Sequence, residues 1–264
     1  MRTELPVSDS GKSPRRKWGS VLALGAVLVL FALLLLPPVQ AVRKAPQHPC
    51  RNSLWQIGIA MFNYEQKYGC FPPAYVADKQ GRPMHSWRVL ILPFLGAEAL
   101  YDRYRFDEPW NSPHNLALAG GVPHGRDEDY PIFHCPNDRD SDKLDTSYVM
   151  VVGPRTISDG PTSTSERDFT DGISNTIMIV EMSDSGIRWM EPRDLKFDQM
   201  SFKINDPGGR GIRSKHPGCA NVLFGDVHVA TVLEDIDPKL LKGLLTRNGG
   251  EDVSEFFNPP DRRH

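Results

Sequence analysis

Three residues near the C-terminus have side chains that could form a metal site. His216, Asp226 and His228 surround one predicted hairpin turn, and imidazole and carboxylate groups are common ligands of zinc and iron. Asp226 falls in the turn itself, however, and aspartate is a frequent structural residue in turns. A structural role is therefore the better interpretation of this group.

An acidic segment carries carboxylates at short intervals, a pattern that suits a hard cation such as calcium. The candidate ligands are Asp138, Asp140, Asp142 and Asp145. The segment departs from the EF-hand pattern, because Lys143 stands at the glycine position and Val149 at the terminal glutamate position. We expect a solvated acidic loop and no cofactor, with calcium as the alternative.

No catalytic motif accompanies these groups. Ser174 lies outside any Gly-x-Ser-x-Gly sequence, and the glycines at 208–211 lack the lysine of a phosphate-binding loop. Glu181 ends an apolar segment, where we expect a salt bridge to an arginine or exposure to solvent, with a buried acid as the alternative. We expect tryptophans in the core or at an interface, with a ligand groove as the alternative. The sequence therefore predicts a protein that is not an enzyme.

The four cysteines are Cys50, Cys70, Cys135 and Cys219. None belongs to a C-x-x-C motif, so a zinc ribbon or a thioredoxin-like site is not indicated. All four follow the apolar N-terminal segment, and two disulfides fit an oxidising compartment. Four buried thiols are the alternative.

The N-terminal part of the chain has the composition of a membrane anchor. Residues 1–17 are polar and basic, and residues 18–36 are uncharged and apolar, long enough to span a bilayer as a helix. The basic cluster at 15–17 predicts a cytoplasmic N-terminus. We therefore expect a retained single-pass anchor in the cytoplasmic membrane. A cleaved signal peptide is the alternative, because residues 39–41 resemble a cleavage site.

The rest of the chain has the composition of a globular domain. Charged residues make up 24% of the chain, hydrophobic residues 39%, and the net charge is −2, which argues against disorder and against binding of nucleic acid through bulk basic charge. The 23 prolines and 22 glycines argue against a helical bundle. We expect a cytoplasmic tail (1–17), an anchor (18–36), an extracytoplasmic domain (37–250) and a polar tail (251–264).

One helix followed mainly by strands is predicted for this domain. Apolar residues from Leu54 to Tyr68 recur at three- and four-residue steps, which predicts a helix over residues 51–68. Shorter helices are expected at 97–104 and 237–246. Strands are predicted at 147–152, 176–181, 186–190, 220–224 and 227–233, the last two joined by a turn at Gly225-Asp226. This is an α+β fold with an antiparallel sheet.

Several segments, in order, resemble the bacterial domain-of-unknown-function 1559 family, which is similar to type II secretion pseudopilins. They include CRNSLWQIGIAMFNYEQKYGCFPPAY (50–75), FHCPND (133–138), DGISNTIMIVE (171–181) and HPGCANVLFGDVHV (216–229). The last matches the H-x9-D-G signature of that family at His216 and Asp226. The resemblance implies a transmembrane helix, then a pilin-like helix packed on an antiparallel sheet, and it implies no enzyme activity. Major pseudopilins bind calcium, which supports the alternative for the acidic segment.

The resemblance also suggests how the cysteines pair. Cys50 and Cys135 stand where the family has cysteine, whereas Cys70 and Cys219 stand where it has other small residues. We therefore expect the disulfides Cys50–Cys135 and Cys70–Cys219.

The sequence departs from the family pattern in three ways. The prepilin peptidase motif is absent, since Arg15 and Ser20 occupy its glycine and glutamate positions, which argues against processing and filament assembly. Pro46 and Pro49 are expected to interrupt the helix. Val227 replaces the last glycine of the signature, and we expect Gly225 to supply the positive φ of the turn.

These observations predict a non-catalytic, membrane-anchored, pseudopilin-like envelope protein that acts through protein–protein contacts. Its partners would be other pseudopilin-like or envelope proteins, and not nucleic acid. The alternative is an extracytoplasmic module that binds a solute or a glycan. A concave pocket with converging polar groups would favour the alternative, whereas an apolar patch would favour protein partners.

Overall fold

The structure, a computed structural model, describes residues 48–125 and 130–258. The predicted cytoplasmic tail and anchor and the last six residues of the polar tail lie outside the described residues. Within the part that is described, no helix is both long enough and apolar enough to cross a membrane.

Helix α1, His48–Tyr68, opens the described part of the chain. Pro49 lies in the first turn of this helix, where a missing N–H costs no helical hydrogen bond. The expected break falls between the anchor and this helix, and the residues before His48, including Pro46, lie outside the described residues. Gly69 follows with φ of 73°, and its N–H donates to the carbonyl of Glu65 at 2.7 Å. A glycine in this conformation is a common way for a helix to end.

The remaining elements are five short helices, four 3-10 turns and seven strands. The helices are α2 (Trp87–Leu90), α3 (Glu98–Arg103), α4 (Pro113–Ala117), α5 (Pro238–Leu244) and α6 (Ser254–Phe257). The strands are β1 (Tyr75–Ala77), β2 (Pro83–Ser86), β3 (Tyr148–Val152), β4 (Ile177–Glu181), β5 (Leu195–Lys196), β6 (Cys219–Phe224) and β7 (Val229–Leu233).

The main sheet has the strand order β5-β3-β4-β6-β7. Its four longer strands pair with one another in antiparallel fashion, and the short edge strand β5 is parallel to β3. Strands β1 and β2 form a separate antiparallel pair. The predicted α+β class with an antiparallel sheet is therefore confirmed, as are the predicted helices that correspond to α1, α3 and α5.

The predicted strand at 186–190 is wrong. Within it, Arg188 makes an isolated bridge with Asp145, and Ile187 and Trp189 are buried on opposite sides of the sheet. Exposed and buried side chains thus alternate over residues 186–189 as they do in a strand, but the segment lacks the continuous backbone pairing that defines a strand. The two-residue strand β5 takes the edge of the sheet instead.

Both faces of the main sheet are covered. Along β3, Tyr148 and Met150 belong to the core under α1, and Val149 and Val151 belong to a second core that includes Leu241 of α5. On the α1 side, Leu54, Ile57 and Met61 are fully buried, as the periodicity predicts. Gly58 allows the close approach of the helix to the sheet, because a Cβ there would lie 2.8 Å from Leu223 Cδ1.

Shortening Ile57 to alanine should lower the free energy of unfolding by about 2–5 kcal/mol, the usual cost of a cavity left by a buried large side chain. Urea unfolding followed by tryptophan fluorescence measures the change. Ile59→Ala makes the same change on the partly exposed side of α1 and should cost clearly less. If the two variants lower the free energy of unfolding equally, burial of Ile57 against the sheet does not stabilise the fold more than the partly exposed side of α1 does.

Arg88 of α2 and Asp194, which directly precedes the edge strand β5, form a buried ion pair. Arg88 Nη2 lies 2.7 Å from Asp194 Oδ1, and the two side chains are 0% and 3% exposed. The same oxygen accepts hydrogen bonds from Met150 N at 2.9 Å and from Trp87 Nε1 at 3.2 Å. Burial lowers the pKa of Arg88 and raises the pKa of Asp194, and the mutual attraction of the charges opposes both shifts.

Candidate functional site

The three residues considered for a metal site at the hairpin do not come together. His216 is buried ahead of β6, whereas Asp226 and His228 lie in the turn after it. A strand of six residues separates them, which is about 20 Å of chain. Asp226 Oδ1 instead lies 2.5 Å from His228 Nδ1, and both side chains are 37% exposed.

His216 is part of a buried cluster under the first turn of α1. Its Nε2 atom lies 3.4 Å from Glu181 Oε1 and 3.9 Å from Cys135 Sγ. Cys135 forms a disulfide with Cys50, with the two Cα atoms 5.3 Å apart. The predicted Cys50–Cys135 pair is thus confirmed, and none of these four residues is more than 4% exposed.

Hydrogen bonds hold the two titratable side chains of this cluster in place. Asn137 Nδ2 lies 3.0 Å from His216 Nδ1. Glu181 accepts from Asn221 N at 2.7 Å and from Asn221 Nδ2 at 3.1 Å. With Asn137 donating to Nδ1, the imidazole proton sits on Nε2 and faces Glu181.

The network continues outward from Asn221 to the surface of the sheet. Thr231 Oγ1 donates to Asn221 Oδ1 at 3.0 Å, and Arg51 donates to Thr231 Oγ1 at 2.9 Å. The expectation that Glu181 is exposed or paired with an arginine was therefore wrong, because its partners are an asparagine and a histidine. Only the tertiary fold reveals this pairing, since β6 brings Asn221 against β4.

The second predicted disulfide, Cys70–Cys219, does not form. Cys70 follows the C-terminal end of α1, whereas Cys219 begins β6 and its N–H donates to the carbonyl of His216, near the N-terminal end of the helix. A helix of 21 residues is about 30 Å long. The two cysteines therefore lie too far apart for a bond that needs Cα atoms within about 7 Å.

The acidic segment does not assemble a ligand set. Asp138 is buried, and its Oδ2 atom accepts from Ser147 Oγ at 3.2 Å and from Asp184 N at 3.0 Å. Asp142 lies 2.7 Å and Asp145 lies 3.5 Å from Arg188 Nη1. Asp140 is exposed. Arg188 thus engages two of the four carboxylates and the core a third, and among the described residues the four do not belong to a group that could hold one metal ion.

A groove of about 610 Å³ opens between α1, the 3-10 turn at Ile173–Asn175 and the β6–β7 turn. Its walls are mainly apolar, and they include Trp55 and Phe62, which are 43% and 44% exposed. The carboxylate-bearing residues of the lining are Glu65, Glu166 and Asp226. The expectation that the tryptophans lie in the core or at an interface is confirmed for Trp87 and Trp189, which are buried in the core. Trp110 is partly buried, and an interface role for the exposed Trp55 stays a prediction.

The β6–β7 turn that forms one wall of this groove differs from the predicted one. It contains four residues, 225–228, and Val227 has φ of 76°, whereas the φ of Gly225 is not positive. The expectation that Gly225 supplies the positive φ was therefore wrong. Gly225 is needed for space, because a Cβ there would lie 2.8 Å from the carbonyl oxygen of Ile173.

Replacing Val227 by glycine should raise the free energy of unfolding by about 1 kcal/mol. A β-branched residue in the left-handed region stores about 1–3 kcal/mol of strain, and the loss of partly buried packing and the extra entropy of the unfolded glycine offset part of the gain. Thermal unfolding measures the difference. Val229→Gly, in β7, should destabilise the protein, and destabilisation by Val227→Gly as well would show that side-chain packing outweighs the strain.

Comparison with known proteins gives one match. Residues 40–166 match the family described as a protein of unknown function, DUF1559. The match includes α1, both cysteines of the disulfide and β3, and it ends before β4, His216 and the β6–β7 hairpin with Asp226 in its turn. No curated protein and no solved structure matches the chain. Over residues 40–166, the chain is thus similar to the DUF1559 family.

Proposed function

We propose that the protein is a non-catalytic, membrane-anchored envelope protein of pseudopilin-like architecture. It acts by binding a partner protein in the groove between α1 and the β6–β7 turn. The apolar segment at 18–36 would hold it in the cytoplasmic membrane with the domain outside. A long helix that packs on an antiparallel sheet, which the resemblance implies, supports the architecture.

The observation that carries the proposal is a second apolar stripe on α1. Trp55, Ile59 and Phe62 follow one another at steps of four and three residues, so they lie on one face of the helix. The stripe at 54, 57 and 61 is already buried against the sheet. In the second stripe, Trp55 is 43% and Phe62 is 44% exposed, and exposed aromatic side chains beside each other are typical of an interaction surface.

Charge indicates what kind of partner the groove fits. Glu65, Glu166 and Asp226 line it together with the aromatic side chains, and no lysine or arginine is among its lining residues. We propose that the partner presents a segment with apolar side chains and with lysine or arginine beside them. Electrostatic complementarity of this kind favours the correct partner and speeds association.

The groove fits a protein segment better than a small solute. Its lining is mainly apolar and includes the exposed aromatic side chains of Trp55 and Phe62, and exposed apolar surface of this kind is typical of a protein-binding site. The protein-binding hypothesis therefore takes precedence over the solute- or glycan-binding hypothesis.

Peptide binding to the full-length protein tests the proposal. A fluorescent amphipathic peptide with lysines on its polar face should bind at least tenfold more tightly than the same peptide with glutamates, as measured by fluorescence anisotropy. Trp55→Ala combined with Phe62→Ala should weaken binding of the lysine peptide at least tenfold, because aromatic anchors dominate interface energies.

Leu116→Ala is the matched control, since Leu116 is 45% exposed and lies outside the groove. Equal binding of the two peptides, or an equal loss from Leu116→Ala, would contradict the proposal. Displacement of the lysine peptide by neutral oligosaccharides would support the glycan-binding alternative instead.

Sequencing of the mature N-terminus tests the membrane part of the proposal. A retained anchor leaves the N-terminal segment in place. A mature chain that begins at Val42 would show that a signal peptide is removed and that the domain is released.

A further inference from the structure

We propose that Cys50, Cys135, Glu181 and His216 form a zinc-type metal site when the Cys50–Cys135 disulfide is reduced. In the described part of the chain, each of these residues offers one ligand atom, and these atoms all lie within 4.8 Å of one another. The cluster therefore has two alternative states, a disulfide or a bound metal ion. This inference is independent of the groove and of the partner proposed for it.

The spacing of the ligand atoms agrees with tetrahedral coordination. With zinc bond lengths of about 2.0–2.1 Å to nitrogen or oxygen and about 2.3 Å to sulfur, ligand atoms should lie about 3.3 Å apart for nitrogen and oxygen and about 3.6 Å apart for nitrogen and sulfur. His216 Nε2 lies 3.4 Å from Glu181 Oε1 and 3.9 Å from Cys135 Sγ. After reduction, the two sulfur atoms need only separate to about 3.8 Å.

The donor set selects the class of metal. Two thiolates with one imidazole and one carboxylate suit zinc, whereas calcium and magnesium prefer oxygen ligands. The exposed fractions of the four residues are 0% for Cys50, 4% for Cys135, 1% for Glu181 and 1% for His216. Such a closed site of four protein ligands is typical of structural zinc.

The surroundings already orient the ligands. Asn221 holds the Glu181 carboxylate through its backbone N–H and its side chain. Asn137 contacts His216 Nδ1. Metal binding through Nε2 places the imidazole proton on Nδ1, so the Asn137 amide would turn to accept it with its oxygen. Cys50 lies in the first turn of α1, where the helix dipole favours a thiolate.

A dithiol can supply the electrons and protons that convert the disulfide form of the cluster into its metal-binding form. The dithiol gives two electrons and two protons to the Cys50–Cys135 bond, becomes a disulfide itself, and leaves two thiols on the protein. Binding of the divalent ion then displaces the two thiol protons to solvent. In the reverse direction, a disulfide takes two electrons from the two thiolates, becomes a dithiol with two protons from solvent, restores the Cys50–Cys135 bond and releases the ion.

Cobalt(II) binding to the full-length protein tests the inference. The protein is reduced with a phosphine, which becomes a phosphine oxide with oxygen from water, and is then desalted without oxygen and titrated. We expect one cobalt per chain, a thiolate-to-cobalt absorption band in the near ultraviolet, and displacement of the cobalt by zinc. The oxidised protein should show no such band.

Variants identify the ligands. Glu181→Gln and His216→Gln should each weaken cobalt binding at least tenfold, and Cys50→Ser should remove the two-thiolate band. Cys70→Ser is the matched control and should bind as the unaltered protein does, because Cys70 lies at the other end of α1. Absence of the band in the reduced protein, or a band that disappears with Cys70→Ser, would overturn the inference.

Thiol protection provides a readout that does not depend on whether a variant folds. Zinc should slow alkylation of Cys50 and Cys135 in the reduced protein at least tenfold, as measured by mass spectrometry of peptides, and should leave Cys70 unaffected. If reduction unfolds the chain, zinc should restore both the fold and this protection. Alkylation of Cys50 and Cys135 at an unchanged rate in the presence of zinc would exclude the site.

Discussion

Replacing Cys50 and Cys135 together by alanine should lower the free energy of unfolding by about 4–5 kcal/mol. The disulfide joins residues that are 85 positions apart, so its loss frees a long loop in the unfolded chain. The chain-entropy relation gives about 4–5 kcal/mol for a loop of this length. Guanidinium unfolding of the oxidised protein and of the variant, in metal-free buffer, measures the difference.

Cys70→Ala is the control for this measurement, because Cys70 has no disulfide and is only partly buried. Its cost should stay below about 1 kcal/mol. A double variant that loses less than about 1 kcal/mol would show that the oxidised and reduced chains are almost equally stable. The Cys50–Cys135 bond would then contribute little to the fold.

The elements of this fold that follow from local sequence were predictable. The spacing of Leu54, Ile57 and Met61 predicts α1 and its buried face, because helical periodicity depends only on residues a few positions apart. The β6–β7 hairpin was predictable for the same reason. The Cys50–Cys135 disulfide was expected from a family resemblance, since cysteine spacing alone leaves three connectivities open.

The partners of buried polar groups were not predictable. Nothing near Glu181 in the sequence indicates that Asn221 and His216 surround it, because strand pairing brings these residues together. The position of Val227 illustrates a second limit. The sequence pattern favours a positive φ at Gly225, before the aspartate, but the structure places the left-handed conformation on Val227, after it.

Apolar alternation is also an ambiguous signal. Residues 186–189 alternate between exposed and buried without forming a strand, and Ile187 and Trp189 belong to the two different cores on either side of the sheet. The sheet edge is occupied by only two residues of β5, too few to produce a pattern. Arg88 gave a usable signal, since a charge inside an apolar run requires a buried partner, but the sequence does not say that the partner is Asp194.

Replacing Asp194 by alanine should lower the free energy of unfolding by about 3–5 kcal/mol, the range for removing one member of a buried ion pair. The change would leave the Arg88 guanidinium buried without its countercharge. It would also remove the acceptor of the Met150 and Trp87 hydrogen bonds, and unsatisfied buried donors are costly. Guanidinium unfolding followed by fluorescence measures the loss.

The neighbouring pair of Arg193 and Glu191 is the matched control. Their atoms lie 2.6 Å apart, but the Arg193 side chain is 54% exposed, so Arg193→Ala should cost less than about 1 kcal/mol. The double variant Arg88→Met with Asp194→Leu should recover part of the loss, because an apolar pair avoids the desolvation of two charges, whereas the Met150 and Trp87 donors still lack their acceptor. If Asp194→Ala costs no more than Arg193→Ala, water reaches the Arg88 guanidinium and burial does not set the strength of this pair.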